Sequence, residues 1–156
     1  MKISDILDEK SVMTNLPGSE KEEIIDELVD LVGQSSKVLD KDKVRMAVFE
    51  REKISSTGIG NGFAIPHGKT DGVSDIVAAF AVTAQPIQYQ SIDEKPVRLV
   101  FLLIGKDNLV GPHLKLLSRI SRLMSKEDFR NKLLDAQSPQ EIMSTFKQEE
   151  ASYSDM

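Results

Sequence analysis

The residue best suited to chemistry in this sequence is His67, in the run Ile65-Pro66-His67-Gly68. Pro66 restricts Ile65 to an extended backbone, and Gly68 has no side chain that could cover the imidazole. We therefore expect a rigidly held ring at the end of a strand. Neutral imidazole is nucleophilic near neutral pH, and a hydrogen bond to one nitrogen frees the other to attack. These properties suit a phosphoryl acceptor. The alternative is an ordinary surface histidine.

A loop rich in small residues precedes His67 and could contact a phosphoryl group. Glycines let backbone N–H groups approach an anion, and Arg51 adds a planar cation suited to phosphate oxygens. The alternatives are a flexible turn for the glycines and, for Arg51, a cation that complements a helix C-terminus. The candidate phosphate-contacting residues of the loop are Ser56, Thr57, Gly58, Gly60 and Gly62.

A second histidine, His113, follows Gly111-Pro112 at the predicted start of a helix. It lies in line with Leu116, Leu117 and Ile120, so we expect it on the apolar side of that helix. A helix N-terminus disfavours imidazolium, and a neutral histidine there could donate a hydrogen bond to a nearby phosphoryl group. The alternative is a partly buried histidine that donates to a backbone carbonyl.

Other chemical motifs are absent or imperfect. Gly62-x5-Gly68-Lys69-Thr70 is one residue too long for a Walker A loop, and Gly58-x-Gly60-x-Gly62 misses the dinucleotide-binding pattern. The two histidines are 46 residues apart, which excludes a histidine-rich metal site. No segment has the spacing of a calcium loop, although a carboxylate-rich cation site stays open. We therefore expect neither a metal nor a cofactor.

Composition excludes several classes of function. The 156 residues carry a net charge of −5, which argues against nucleic acid as a partner because phosphate backbones require clustered Lys and Arg. No cysteine is present, so disulfides, thiolate catalysis and zinc–thiolate sites are excluded. The hydrophobic share of 40% is ordinary for a globular domain.

The sequence also predicts where the protein resides. The apolar runs Ile76–Val82 and Leu99–Ile104 are far shorter than the roughly 18 residues of a transmembrane helix. Asp5, Asp8 and Glu9 stand where a signal peptide needs an apolar stretch. We expect a cytoplasmic protein that does not insert into the membrane.

Helix signals occur at both ends of the chain. Ser19 and Glu22 have the spacing of a capping box, and Asp40 could cap a second helix. Three more helices are expected after Gly111, the last of them capped by Ser138 with a proline at its first position. Ser125 could cap the helix before it.

Strand signals lie between these two groups of helices. Ile76–Ala84 and Val97–Ile104 are nearly continuous apolar runs typical of buried strands, Phe63–Ile65 is a shorter candidate, and Val12–Leu16 a weak one. The order predicts one α/β domain over residues 1–148, with a mixed sheet flanked by helices. We expect residues 149–156 to form a frayed tail.

The run from Ser56 to Gly68, which contains the element G-I-G-x-G-x-A-I-P-H, strongly resembles the active-site signature of enzyme IIA domains of the fructose/mannitol class. These domains belong to the phosphoenolpyruvate-dependent phosphotransferase system. The resemblance covers nearly the whole chain. Ile3–Leu7 looks like the start of the nitrogen-regulatory branch, and Pro96–Leu103 followed by His113-Leu114-x-x-Leu117 looks like the second half of the family.

The resemblance implies a histidine phosphoryl carrier, a component of a phosphotransferase. His67 would accept the group from a phosphocarrier protein of the HPr type and pass it to a IIB component or, in the regulatory branch, alter binding to a regulatory protein. Arg51 matches the family's arginine, and His113 matches its supporting histidine. We favour the nitrogen-regulatory branch. The alternatives are a fructose-type transport component with a separate IIB chain and a binding module that is regulated by phosphorylation and rarely turns over.

Overall fold

The computed structural model describes residues 1–152. Within these residues, six helices and six strands follow one another. They are α1 (Ile3–Ile6), β1 (Val12–Leu16), α2 (Lys21–Val32), α3 (Lys41–Ile54), β2 (Gly58–Gly60), β3 (Phe63–Ala64), β4 (His67–Thr70), β5 (Val77–Ile87), β6 (Val97–Lys106), α4 (Val110–Met124), α5 (Glu127–Asp135) and α6 (Pro139–Ala151).

The strands form one mixed sheet in the order β1-β5-β6-β3-β2, and β4 pairs with β6 beyond β3. Strand β5 runs antiparallel to β6, whereas β3 and β4 run parallel to it. Strand β6 is therefore the centre of the sheet and is paired along both edges. The predicted α/β domain with a mixed sheet flanked by helices is confirmed.

Helices cover both faces of the sheet, which explains why the sequence of β6 is apolar throughout. Leu99, Phe101 and Leu103 face a core built with α1, α4, α5 and α6. The alternate residues of β6 face a second core built with α2 and α3. Both faces of the strand are buried, so an alternating polar pattern is not possible.

An aromatic cluster closes the first core. The ring of Phe146 on α6 packs edge-on against Phe80 and Phe129, with centroid distances of 5.2 and 5.3 Å. This geometry is one that aromatic pairs prefer, and it holds the last two helices against the sheet.

The helix caps were predicted with mixed success. Asp40 caps α3 by accepting from the N–H groups of Asp42 and Lys43, and Ser138 caps α6, as predicted. The cap predicted at Ser19 is wrong, because α2 begins after Glu20 and the Ser19 hydroxyl donates to the Glu23 carboxylate instead. Ser125 is not the N-cap of α5, which begins after Lys126; it is the C-cap of α4.

The C-terminal boundary differs from the expected frayed tail. Helix α6 continues to Ala151, and the Glu150 side chain is buried. Its carboxylate accepts from the backbone N–H groups of Ile3 and Ser4, so it joins the two ends of the described chain. Residues 153–156, the remainder of the predicted tail, lie outside the described residues.

Candidate active site

His67 is the first residue of β4, where it pairs with Leu103 of β6. Its Nδ1 lies 2.8 Å from the carbonyl oxygen of Ile65. A carbonyl only accepts, so Nδ1 must carry the proton and donate it. The lone pair then resides on Nε2, which has no hydrogen-bond partner among residues 1–152. The ring is held by one nitrogen and reactive at the other.

His67 is half-buried, and burial lowers its pKa. The hydrogen bond to Ile65 and the Glu52 carboxylate oppose that effect, whereas the charges of Arg51 and Lys69 add to it. The net direction is downward from the ordinary value of 6.5, so the imidazole is mainly neutral at pH 7. Neutral imidazole is the nucleophilic form.

The structure brings His113 close to His67. The two ring centroids are 5.7 Å apart, although the residues come from β4 and α4. Gly105, near the end of β6, makes room for the ring, because a Cβ there would lie 2.5 Å from His113 Nδ1. Close approach of α4 to the sheet therefore depends on a glycine at this position.

His113 is only 2% exposed, and neither ring nitrogen has a hydrogen-bond partner among the described residues. The alternative that it donates to a backbone carbonyl is therefore not what the structure shows. Burial, together with the charges of His67 and Lys69, lowers the pKa of His113 to about 4. A neutral, unpartnered imidazole beside the free nitrogen of His67 is a potential hydrogen-bond donor for a group attached there.

Arg51 reaches the site because α3 packs directly on β4. Gly68 lies against Ala47, and a Cβ on Gly68 would approach that residue to 3.1 Å. Arg51 is one helical turn beyond Ala47, and its charge acts on His67. Its Nη1 donates to the Ser55 carbonyl at 2.9 Å. Gly68 thus serves helix packing in addition to leaving the ring uncovered.

Lys69 is a cation of the site that the sequence analysis missed. It lies two residues after His67 on β4, so both side chains project from the same face of the strand. Its charge lowers the pKa of both histidines. The period of two from His67 would have indicated it, had β4 been predicted.

The hydroxyls of the predicted phosphate loop have partners of their own. Ser56 donates to the Tyr89 carbonyl at 2.9 Å, and Thr57 is buried beside Glu52 and the Tyr89 hydroxyl. Gly58 packs against Ser91, whose Oγ would lie 2.5 Å from a Cβ at that position. These three residues join the loop to the rest of the domain.

Gly60 and Gly62 lie away from His67. Both have positive φ angles, +120° for Gly60 at the end of β2 and +76° for Gly62 in the turn before β3. The Gly62 carbonyl accepts from the N–H of Leu99, whereas His67 pairs with Leu103, four residues along β6. That separation is about 13 Å along a strand. The structure assigns these glycines to the turn, and their contact with a phosphoryl group stays a prediction.

Residues 1–152 contain no cluster of three or more His, Cys, Asp or Glu side chains arranged to hold a metal ion. Within the same range, no helix combines the length and the apolar character needed to cross a bilayer.

Two known proteins with similar sequences are fructose-specific components of a PTS system. The chain is 37% identical to the fructose-specific EIIABC component of Bacillus subtilis over 95% of its own length and 23% of that protein. It is 39% identical to the fructose-specific EIIA component of Haloferax volcanii, covering 90% of this chain and 91% of that one.

A known structure and a family model are similar to the chain as well. The nitrogen regulatory protein IIA-Ntr of Neisseria meningitidis superposes with a TM-score of 0.86 at 33% identity, covering 92% of this chain and 98% of that chain. Residues 5–149 match the family model described as phosphoenolpyruvate-dependent sugar phosphotransferase system, EIIA 2. The chain belongs to that family of phosphotransferase components.

Proposed function

We propose that this protein is a phosphoryl carrier that accepts its group on Nε2 of His67 from a phosphocarrier protein of the HPr type. The observation that carries the proposal is the hydrogen bond from Nδ1 to the Ile65 carbonyl. It leaves one lone pair on the ring, at a nitrogen with no partner among the described residues. Arg51 and His113 lie beside the same ring.

The transfer is a simple exchange of bonds. The Nε2 lone pair of His67 forms a bond to the phosphorus of the donor phosphohistidine, and the phosphorus–nitrogen bond of the donor breaks with its electron pair returning to the donor ring. The proton stays on Nδ1, which continues to donate its hydrogen bond to the Ile65 carbonyl. Such a reaction needs positioning and positive potential more than covalent help from the protein.

Positive potential is available at this site despite the net charge of −5. Arg51 and Lys69 act on His67, and neither forms an ion pair with a carboxylate in residues 1–152. Their charges would offset the dianionic phosphoryl group. His113 is neutral near pH 7 and would donate one N–H to it.

The group must then leave His67 for an acceptor. Residues 1–156 include no cysteine, the residue that the resemblance assigns as acceptor in a IIB component. We propose that the acceptor or target is a IIB component or a regulatory protein. We place the exchange in the cytoplasm, without nucleic acid and without insertion into the membrane.

We favour the nitrogen-regulatory role, in which the phosphorylation state alters binding to a regulatory protein. The structural match to the Neisseria nitrogen regulatory protein, with a TM-score of 0.86 over 92% of the chain, supports it. The second candidate is a fructose-type transport component. The 39% identity to the Haloferax EIIA component, over 90% of this chain, supports that one.

The test is the intact mass of the protein after incubation with phosphoenolpyruvate, enzyme I and HPr. We expect one acid-labile phosphoryl group on the parent and none on His67→Ala, with an unchanged circular dichroism spectrum for that variant. Absence of the group from the parent, while HPr is phosphorylated in the same tube, would refute the carrier proposal and favour the binding module.

The branches differ in how fast the group leaves. The phosphorylated protein is mixed with a purified fructose-type IIB protein, and its mass is followed with time. Loss of the group within seconds identifies a transport component. Retention over many minutes, with the IIB protein shown to accept from a known fructose IIA, supports the regulatory role.

A further inference from the structure

A buried polar network lies behind His67, and its centre is Glu52, whose side chain is 6% exposed. The carboxylate accepts from Lys21 Nζ at 2.9 Å, from the Tyr89 hydroxyl at 3.1 Å and from the Thr57 N–H at 3.3 Å. It also accepts from the Thr57 hydroxyl. Four donors from three parts of the chain therefore converge on one carboxylate of α3.

The donors are held in their donating forms. Burial and the neighbouring Glu52 carboxylate raise the pKa of Tyr89, so its hydroxyl keeps its proton. Lys21 is 11% exposed and lies 4.5 Å above the centroid of the Tyr89 ring, which adds a cation–π contact to its ion pair with Glu52. A buried charge is stable when it is paired and its remaining lone pairs are satisfied, as they are here.

The network continues to His67 through the backbone. Thr57, whose N–H and hydroxyl both donate to Glu52, presents its carbonyl oxygen to the N–H of Ile65 at 3.0 Å. The Ile65 carbonyl accepts from His67 Nδ1 at 2.8 Å. Three hydrogen bonds, joined by the backbone of Thr57 and of Ile65, therefore connect the carboxylate to the histidine ring.

We propose that Glu52, through Thr57, is a positioning residue that holds the Ile65 carbonyl toward His67 and so keeps the proton on Nδ1 and the lone pair on Nε2. The hydrogen bond at one nitrogen of a histidine determines the tautomer and the orientation of its ring. A residue that holds the hydrogen-bonding carbonyl in place therefore acts on both. The consequence for phosphoryl transfer rests on the proposed function. The consequence for the tautomer does not.

The proposal gives Thr57 a different role from the one that its loop suggested. Its hydroxyl is buried and already bonded, so its contribution to the reaction is made through Glu52 and Ile65. A merely structural network would change stability alone. A positioning network also changes which nitrogen of His67 is protonated.

The experiment uses nitrogen-15 NMR of the unphosphorylated protein, in which one-bond and long-range proton couplings identify the protonated nitrogen of each histidine. The parent should show His67 with its proton on Nδ1. In Glu52→Gln, whose amide offers one acceptor where four donors converge, we expect the ratio of Nδ1–H to Nε2–H tautomer to fall about fivefold, the effect of weakening one hydrogen bond. Thr57→Val should act in the same direction and Thr57→Ser should restore the parent ratio.

Glu150→Gln is the matched control. Glu150 lies on α6, and its buried carboxylate, like that of Glu52, accepts from the backbone; its donors are the N–H groups of Ile3 and Ser4. We expect it to lower stability and to leave the His67 tautomer unchanged. The pH titration of His67 gives a second readout. Arg51, Lys69 and His113 also face His67. Removing the Glu52 charge should lower the pKa of His67, whereas Glu150→Gln should leave that pKa unchanged.

Transfer from phosphorylated HPr completes the test. In Glu52→Gln we expect the rate at saturating HPr to fall about tenfold, because a slightly misplaced nucleophile reacts slowly, while half-saturation is unchanged because the network is buried. An unchanged tautomer in both Glu52→Gln and Thr57→Val would overturn the proposal. If Glu52→Gln does not fold, Tyr89→Phe removes a single donor and is judged by the same tautomer ratio. A parent that accepts no phosphoryl group would refute the proposed function and leave the tautomer result as it stands.

Discussion

Replacing His113 by leucine should stabilise the protein, because the parent buries a polar ring without partners. His113 is 2% exposed, and both its nitrogens lack hydrogen bonds within the described part of the chain. A buried polar group left unpaired costs about 1–3 kcal/mol, and leucine removes both nitrogens at similar volume. At pH 7.5 the free energy of unfolding of His113→Leu should exceed that of the parent by about that amount.

The difference should grow as the pH falls. The pKa of His113 is about 4 in the folded protein against 6.5 as its ordinary value, so the unfolded chain takes up a proton first. The parent therefore keeps its full stability above pH 6.5 and loses it progressively as the pH falls toward 4. Linkage gives a loss of about 2 kcal/mol by pH 5, and the leucine variant escapes it.

Urea unfolding at pH 7.5 and pH 5 measures both effects. A change of about 2 kcal/mol corresponds to a shift of about 1 M in the urea midpoint for a domain of this size. The chain has only two histidines, so the variant His67→Leu/His113→Leu shows the loss that comes from carboxylates alone. Equal shifts between the two pH values in the parent and His113→Leu would refute the assignment of a buried neutral ring.

The same substitution should slow phosphoryl acceptance, because leucine cannot donate to the phosphoryl group. A gain in stability and a loss of rate from one substitution would identify His113 as a residue that is kept for function at a cost to folding. Unchanged acceptance kinetics would remove the supporting role from His113 and leave only the stability argument.

Three other predictions concern single contacts. Gly105→Ala should displace the His113 ring and slow phosphoryl acceptance at least several-fold. Gly111→Ala, whose added Cβ meets nothing within 4 Å, should leave the rate unchanged. The rates of both variants are compared by the intact mass of samples quenched at successive times. Glu150→Gln should lower the urea midpoint by the equivalent of about 1–3 kcal/mol, because the N–H groups of Ile3 and Ser4 lose a charged hydrogen-bond acceptor. The rate of phosphoryl transfer to the protein should not change. Asp40→Ala should cost about 1 kcal/mol in the same assay through loss of the α3 cap, and an unchanged midpoint would show that the cap contributes nothing.

Strands were predictable where their own residues carry a clear apolar pattern. The apolar runs Ile76–Ala84 and Val97–Ile104 correspond to β5 and β6, because a strand buried on both faces must be apolar throughout. The weak candidate Val12–Leu16 is also a strand, β1. The loop predicted before His67 contains β2, since three residues rich in glycine carry little strand signal and owe their conformation to pairing with β3.

The candidate nucleophile was also indicated by its neighbours in sequence. Ile65 and Pro66 follow the short strand Phe63–Ala64, and the Ile65 carbonyl accepts from the ring two residues later. Those constraints act over three consecutive residues, so they are visible in the chain itself. The family and the α/β class follow from the same kind of local information.

The partners of His67 depend on tertiary structure. His113 is 46 residues away and meets the ring because α4 crosses the end of β6 at Gly105. Glu52 and Tyr89 meet behind it because α3 packs on the sheet, and nothing in their spacing predicts an interaction. The sequence by itself indicated the candidate nucleophile and the class of fold, since both rest on contacts between neighbours and on hydrophobic pattern. The folded structure decided the protonation states and the supporting residues, since burial and charge at a point in space arise from segments that are distant along the chain.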